Sequence, residues 1–206
     1  MITLYTGTPG SGKSYNACKT IYWWLKKRKY NNVIANFPIN TTYRSKFLKR
    51  EKQYKFNGTL FHFWDEFLNV EHFLEFAKVM HEDGKEAQTL VVWDEASLYF
   101  NSRDWASDKD RKDWLKFLAQ HRKFGFEFIF ICQDDRQLDR QIRSLVEYEK
   151  VHRKANNHKF LQFLPFTLFV CVTRWYALKT KIEADMFFYK PKYGQLYNTF
   201  NTFSYV

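Results

Sequence analysis

Through the first two thirds of the chain, short and almost unbroken apolar runs alternate with stretches where apolar residues recur every third or fourth position. The runs at residues 2–6, 32–36, 60–64, 89–93 and 126–132 are rich in β-branched and aromatic residues and too short for helices. Strands buried on both faces read this way. After the first run, Ala17, Ile21 and Leu25 are spaced by four on a helix that begins at about Lys13. Behind Asp65 as a candidate cap, Phe67, Val70, Leu74, Ala77 and Met80 recur at helical spacing, with Gly84 just beyond the end. A further helix is expected from about residue 108 to 124, with acidic residues in its first turn, Arg122 and Lys123 in its last and Gly125 as its stop. Its apolar stripe is Trp114, Leu115 and Leu118. This alternation predicts an α/β fold with a central, mainly parallel sheet flanked by helices. From about Glu147 the pattern turns β-rich, at 147–153 and 166–176. Residues 147–206 are therefore expected to extend the sheet of a nucleotide-binding core, residues 1–146, within one domain spanning 1–206.

The turn after the first run carries the chemistry. Gly7, Thr8, Pro9, Gly10, Ser11, Gly12, Lys13 and Ser14 reproduce the phosphate-binding spacing G-x-x-x-x-G-K-[ST], with a strand before it and a helix after it. Glycines let backbone N–H groups converge on phosphate oxygens, Lys13 reaches the β and γ oxygens, and the Ser14 hydroxyl ligates Mg²⁺. A nucleotide such as ATP is the expected ligand. Phosphoryl transfer also needs a carboxylate on Mg²⁺ and a group that orients the attacking water. The run ending Val92-Trp93-Asp94-Glu95 supplies both, Asp94 as the Mg²⁺-linked acid and Glu95 as the base, a pairing that favours hydrolysis over transfer to an acceptor. Gln133 ends the next strand and is expected beside the γ-phosphate as a sensor. Arg136, Arg140 and Arg143 follow, the last two three residues apart on one helical face, where an arginine finger for a neighbouring subunit would sit. Arg103 is a further phosphate or nucleic-acid candidate. For each arginine, a solvated face or a backbone-phosphate contact is an equal alternative.

Charge adds a partner class. Lysine and arginine exceed aspartate and glutamate by 33 − 22 = 11, a field that favours a polyanion, whether nucleic acid or anionic lipid. Lys26-Lys27-Arg28-Lys29 also sits favourably at the negative end of the first helix. Aromatic residues make up 20% of the chain and offer stacking platforms for single strands, although most belong to the core. Cys18, Cys132 and Cys171 are odd in number and far apart, as buried reduced thiols are, which implies a cytosolic setting. No secretory leader is expected. The longest apolar stretch, 160–178, contains Gln162, Pro165 and Arg174 and reads as strands rather than a membrane span.

The order of these motifs resembles the zonular occludens toxin family: residues 6–14, then Val92 to Ala96 with Arg103, His121-Arg122 with Gly125, then Gln133, Asp139 and Ile142-Arg143. Leu196-Tyr197-Asn198-Thr199 is similar to that family's closing segment, so the resemblance spans nearly the whole chain. It implies a P-loop ATPase related to DNA-translocating motors, acting at the cytoplasmic face of the inner membrane to extrude single-stranded DNA virions of filamentous phages. The implied partners are further copies of the chain in a ring, a hexamer among the options, with single-stranded DNA or phage nucleoprotein and a phage coat or membrane-embedded assembly protein. The family's transmembrane helix and external domain are not expected in these residues. That leaves a soluble variant, a separate membrane partner or a trimmed ATPase domain as alternatives. Three other functions stay open: a motor that packs DNA into a preformed capsid, a small-molecule kinase, and an adaptor that holds nucleotide without turnover.

Overall fold

The computed structural model describes residues 1–27, 32–44, 50–64, 67–101, 108–157, 161–163 and 165–197. Its elements in chain order are β1 (Ile2–Thr6), α1 (Lys13–Lys27), β2 (Asn32–Ala35), β3 (Thr42–Arg44), β4 (Glu51–Gln53), β5 (Thr59–His62), α2 (Val70–Met80), β6 (Thr89–Trp93), α3 (Asp108–Gln120), β7 (Phe126–Ile131), α4 (Arg140–Ser144), β8 (Tyr148–Lys154), β9 (Leu168–Trp175), β10 (Lys181–Phe188) and α5 (Pro191–Gly194).

Eight strands form one sheet in the order β10-β9-β8-β1-β7-β6-β2-β5. Every pairing from β8 through to β5 is parallel, and β9 and β10 join antiparallel beyond β8. Parallel strands need covered crossovers, so helices lie on both faces and the central strands are apolar on both sides. Side chains divide by the strand's two-residue period. Ile2, Leu4, Val91, Trp93, Phe128 and Phe130 face α2, α3 and α4 with Phe73, Trp114, Phe117 and Ile142. Tyr5, Val33, Val92, Ile129 and Ile131 face α1 with Ala17, Ile21 and Leu25. Each fully buried large side chain contributes about 1.5–3 kcal/mol, so both layers hold the helices on the sheet.

The expected parallel α/β architecture is present, and the stretch from 166 to 176 contains a strand, as expected. Several details differ. The second helix starts at Val70, capped by Asn69 accepting from the His72 amide, so its cap lies four residues after the expected Asp65. Phe67 and Met80 are both exposed, and Phe73, absent from the expected stripe, is the fully buried residue. A helix begun at Val70 turns its 70, 73, 74, 77 face inward. Asp65 lies outside the described residues, as do Arg28, Lys29 and Arg103. Helix α3 stops at Gln120, with Arg122 and Lys123 in the turn that Gly125 closes at φ +81°. Cys18, Cys132 and Cys171 are buried and unpaired by disulfides. Among the described residues no helix is long and apolar enough to cross a membrane.

Candidate nucleotide-binding site

In open parallel sheets, ligands gather where the carboxyl ends of the strands meet helix N-termini. Here β1 ends in the glycine loop, β6 in Asp94 and Glu95, and β7, which lies between them, in Gln133. The loop turns through Gly7 at φ +143°, Gly10 at +72° and Gly12 at +94°, conformations costly for any residue with a Cβ. It then enters α1 at Lys13. Two strands beyond the core buttress it. An added Cβ on Gly7 would strike the His152 carbonyl of β8, and one on Gly12 would lie 2.7 Å from Phe169 Cδ1 of β9.

Lys13 Nζ donates to the Gly7 carbonyl at 2.7 Å and to that of Thr8 at 3.3 Å, curling over the loop where phosphate oxygens would offer it better acceptors. Burial pushes the Lys13 ammonium below its usual range, opposed by the Glu95 and Asp94 charges, so both acids lie within its field. Ser14 Oγ donates to Asp94 Oδ2 at 3.1 Å. The buried Asp94 also accepts from the Glu95 amide at 3.0 Å. Its backbone is held by Asn36 in both directions, with Asn36 Oδ1 accepting from the Asp94 amide at 2.7 Å and Asn36 Nδ2 donating to the Asp94 carbonyl at 2.9 Å. Burial raises the Asp94 carboxyl above its usual range, against the pull of Ser14 and the Glu95 amide. Glu95 is raised too, first by burial and then by Asp94 beside it. Its backbone is left-handed at φ 49°, ψ 43°, strain of the kind that collects at functional sites.

The residues fit a magnesium nucleotide. Ser11 Oγ is buried within the loop without a hydrogen-bond partner, an unmet polar group where a phosphate would lie. The Ser14 hydroxyl and Asp94 carboxylate are hard oxygen donors that already converge, the set Mg²⁺ takes alongside phosphates and water.

Gln133 is exposed at the end of β7, and its carbonyl accepts from the Gly7 amide at 3.1 Å, tying the sensor position to the loop. The adjacent turn is capped by Asp134 with Gln137 rather than by Gln133. Arg136 and Arg140 are exposed, whereas Arg143 is half-buried with its Nε unpaired. Among the described residues neither Arg140 nor Arg143 forms an ion pair. They ride on α4, which is fixed by its N-cap Asp139 and the Arg111–Asp139 bridge of 3.0 Å.

Sequence reasoning passed over Asn36, Glu149, His152 and Phe169. Asn36 had a signal, an amide ending an apolar strand at the sheet's carboxyl edge. Glu149, 2% exposed, accepts from Thr6 Oγ1 at 2.8 Å, Arg174 Nε at 2.9 Å and Lys179 Nζ at 2.9 Å. Burial pushes its carboxyl up, but these donors outweigh it and hold it below its usual range. Lys179 also reaches Asp135 at 3.1 Å, joining the strand before the glycine loop to the segment after Gln133.

The family model for zonular occludens toxin (Zot) matches residues 1–197. Among curated relatives, the Gene 1 protein of Enterobacteria phage I2-2 is 40% identical over 63 residues, 31% of this chain and 17% of that protein. The Gene 1 protein of Enterobacteria phage fd is 34% identical over 84 residues, 41% of this chain and 24% of that protein, so the match spans under a quarter of these relatives. Among solved structures, the N-terminal domain of zonular occludens toxin from Neisseria meningitidis aligns at TM-score 0.52 with 19% identity, covering 96% of this chain and 98% of that one. The genome packaging NTPase B204 of Sulfolobus turreted icosahedral virus 2, in complex with ATP-gammaS, aligns at 0.52 with 16% identity over 90% and 95%. A DnaB-like replicative helicase aligns at 0.65 with 12% identity over 94% and 57%. The fold is that of P-loop NTPases.

Proposed function

The chain belongs to the zonular occludens toxin family, and from that premise we propose that it is an ATPase that powers assembly and extrusion of single-stranded DNA phage. The observation that carries the reading is the meeting of Ser14 Oγ and Asp94 Oδ2 at 3.1 Å beneath the glycine loop, with Glu95 next in the chain. In this reading the N–H groups of residues 7–14 bind phosphate oxygens, and Lys13 exchanges its two carbonyl acceptors for the β and γ oxygens. Ser14 and, through water, Asp94 would hold Mg²⁺, which would supply positive charge against that developing on the transferred phosphoryl group. Glu95 accepts the proton of the water that adds to the γ-phosphorus as the bond to the ADP oxygen breaks. Gln133 reports whether the γ-phosphate is there, through its tie to the Gly7 amide. Arg140 or Arg143 is offered to the site of a neighbouring copy in a ring.

The partners in this proposal are single-stranded DNA or phage nucleoprotein, drawn by the net charge of +11, and a coat or membrane-embedded assembly protein at the cytoplasmic face of the host membrane. Similarity to Gene 1 proteins of phages fd and I2-2 supports extrusion over capsid filling.

Steady-state ATP hydrolysis at rising protein concentration, with and without single-stranded DNA, tests it. Specific activity is expected to climb with both. Lys13→Ala should abolish nucleotide binding, and Glu95→Gln should bind ATP while losing about 10²–10⁴-fold in turnover. Full turnover in Glu95→Gln would remove the assigned base. Lys13-dependent activity that is flat in both variables would point to a monomeric enzyme instead.

A further inference from the structure

The last rung of the β2–β6 ladder pairs Ala35 with Val92. Past it, a side chain carries the ladder on. Asn36 Oδ1 accepts from the Asp94 amide at 2.7 Å, and Asn36 Nδ2 donates to the Asp94 carbonyl at 2.9 Å. The Asn36 amide donates in turn to the Val92 carbonyl at 3.4 Å. A carboxamide offers a donor and an acceptor on one short side chain, as a peptide group does. Asn36 is 5% exposed and Asp94 3% exposed, so removing that side chain would leave both Asp94 backbone groups buried without these partners.

The chain beyond Asp94 depends on this hold. Glu95 is left-handed at φ 49°, ψ 43°, and leads into a single turn over Ala96–Leu98, its carbonyl accepting from the Leu98 amide at 2.9 Å. That turn is anchored by the fully buried Ala96 and by Phe100, whose ring packs on Trp93 with centroids 4.9 Å apart. Glu95 is therefore strained between two fixed points, the Asn36 clamp before it and the anchored turn after it. With its backbone held, the direction in which its side chain leaves is held too.

We propose that Asn36 is a positioning residue for the hydrolytic step: by holding the Asp94 backbone it keeps Glu95 in the left-handed conformation that aims its carboxylate at the attacking water. Lys13 and the N–H groups of the glycine loop come from β1 and α1 and do not depend on this contact. Its loss therefore spares nucleotide binding and falls on turnover. A shift of about 1 Å in a catalytic group is enough to cost about 10²-fold.

This rests on the ATP-site reading with Glu95 as its base, and the test separates the two. Steady-state kcat and affinity for a fluorescent ATP analogue are measured on the full chain for wild type, Asn36→Leu, Asn32→Leu, Glu95→Gln and the Asn36→Leu/Glu95→Gln pair. Leucine is close to asparagine in size and removes both hydrogen bonds. Asn36→Leu is expected to keep its nucleotide affinity and lose about 10²-fold in kcat. Asn32 lies at the other end of β2, 3% exposed, where its Nδ2 donates to Thr89 Oγ1 at 3.5 Å. Asn32→Leu disturbs the same strand away from Asp94 and should keep kcat; an equal loss there would make the effect one of general stability and overturn the inference. In the Glu95→Gln background Asn36→Leu should add little, because residues that act as a unit are non-additive. A second full loss of about 10²-fold in the pair would mean that Asn36 does not act through Glu95. If Asn36→Leu does not fold, Asn36→Asp decides, since it keeps the acceptor for the Asp94 amide but brings no donor to the carbonyl, and its kcat should fall. Full kcat in the folded Asn36 variant overturns the positioning role alone, whereas wild type without Lys13-dependent turnover overturns the site reading itself.

Discussion

Replacing Gly12 with alanine tests whether the glycine loop is braced by the β-rich part of the chain. The added Cβ would lie 2.7, 2.9 and 3.0 Å from Cδ1, Cε1 and Cγ of Phe169, closer than real Cβ contacts allow. The ring has nowhere to retreat, being 6% exposed and packed against Tyr15 and Phe187 at centroid distances of 5.6 and 5.5 Å. Overpacking costs about 1–3 kcal/mol, and φ +94° adds about 1–2 kcal/mol for a residue with a Cβ. Gly12→Ala should therefore lose about 2–5 kcal/mol and, because the loop must shift to relieve the clash, bind nucleotide more weakly. Phe169→Ala alone should lose about 3–5 kcal/mol through the cavity it leaves. In the double variant the clash is gone, so the losses should fall short of additive by about 1–3 kcal/mol. Nucleotide affinity should partly return as well. Urea unfolding of the four proteins, together with fluorescent-nucleotide titration, measures both quantities. Additivity within about 0.5 kcal/mol would refute the brace, as would a Gly12→Ala protein that binds nucleotide like wild type.

Two further outcomes follow from buried titratable groups. His121 is held near a pKa of about 4 by burial and by the Met1 amino group bonded at 2.9 Å to its Nε2; His152 is held at about 4 by burial, against the ordinary 6.5 of either. As pH falls through 6.5 the unfolded chain takes up these protons first, so their contribution is whole above 6.5, shrinks down to about 4 and is gone below it. Urea unfolding near pH 5 should show about 2 kcal/mol lost for each histidine relative to neutral pH, and a stability curve flat between the two would contradict their neutral burial. Glu149→Gln should cost about 3 kcal/mol, the low end for breaking a buried pair because Arg174 and Lys179 are partly solvated. Since the Glu149 carboxyl is held below its ordinary 4.5, its contribution is present above that value and lost as pH falls through the lower folded one. The variant's unfolding free energy should thus converge on that of wild type in acid, which parallel denaturation curves would reveal.

The part of the site legible in the sequence is the part whose geometry is local. A glycine loop leading into a helix fixes where residues 7–14 point whatever surrounds them, and an apolar strand ending in two acids needs only to be parallel to β1 to bring Asp94 to Ser14. Glu149 depends on register instead. It faces Thr6 and Arg174 because β8 pairs Leu4 with Glu149 on one side and Glu149 with Arg174 on the other, and no pattern within 147–153 states that. Helix α4 has five residues, too few for a period to show. Strand β10 is an edge strand exposed on both faces along most of its length, so its apolar and polar residues give no burial signal. Phe73 was missed because the stripe was anchored on Phe67, which lies outside the helix; within Val70–Met80 it falls between Val70 and Ala77 on the inward face.

The late segments are structural parts of the early motif. The β1 strand that delivers the glycine loop has β7 on one side and β8 on the other, so without β8 it would be an edge strand, with Thr6 and Gly7 open on one flank. The loop's outer wall is Phe169, and its strand end is tied through Thr6 to Glu149. Holding Glu95 at φ 49° costs about 1–2 kcal/mol, and such strain persists only where the surroundings over-determine the backbone. The Asn36 clamp and the Glu95 amide bond to Asp94 supply that over-determination. The end of β6 is therefore set from β2 through Asn36, and the glycine loop beside it from β8 and β9.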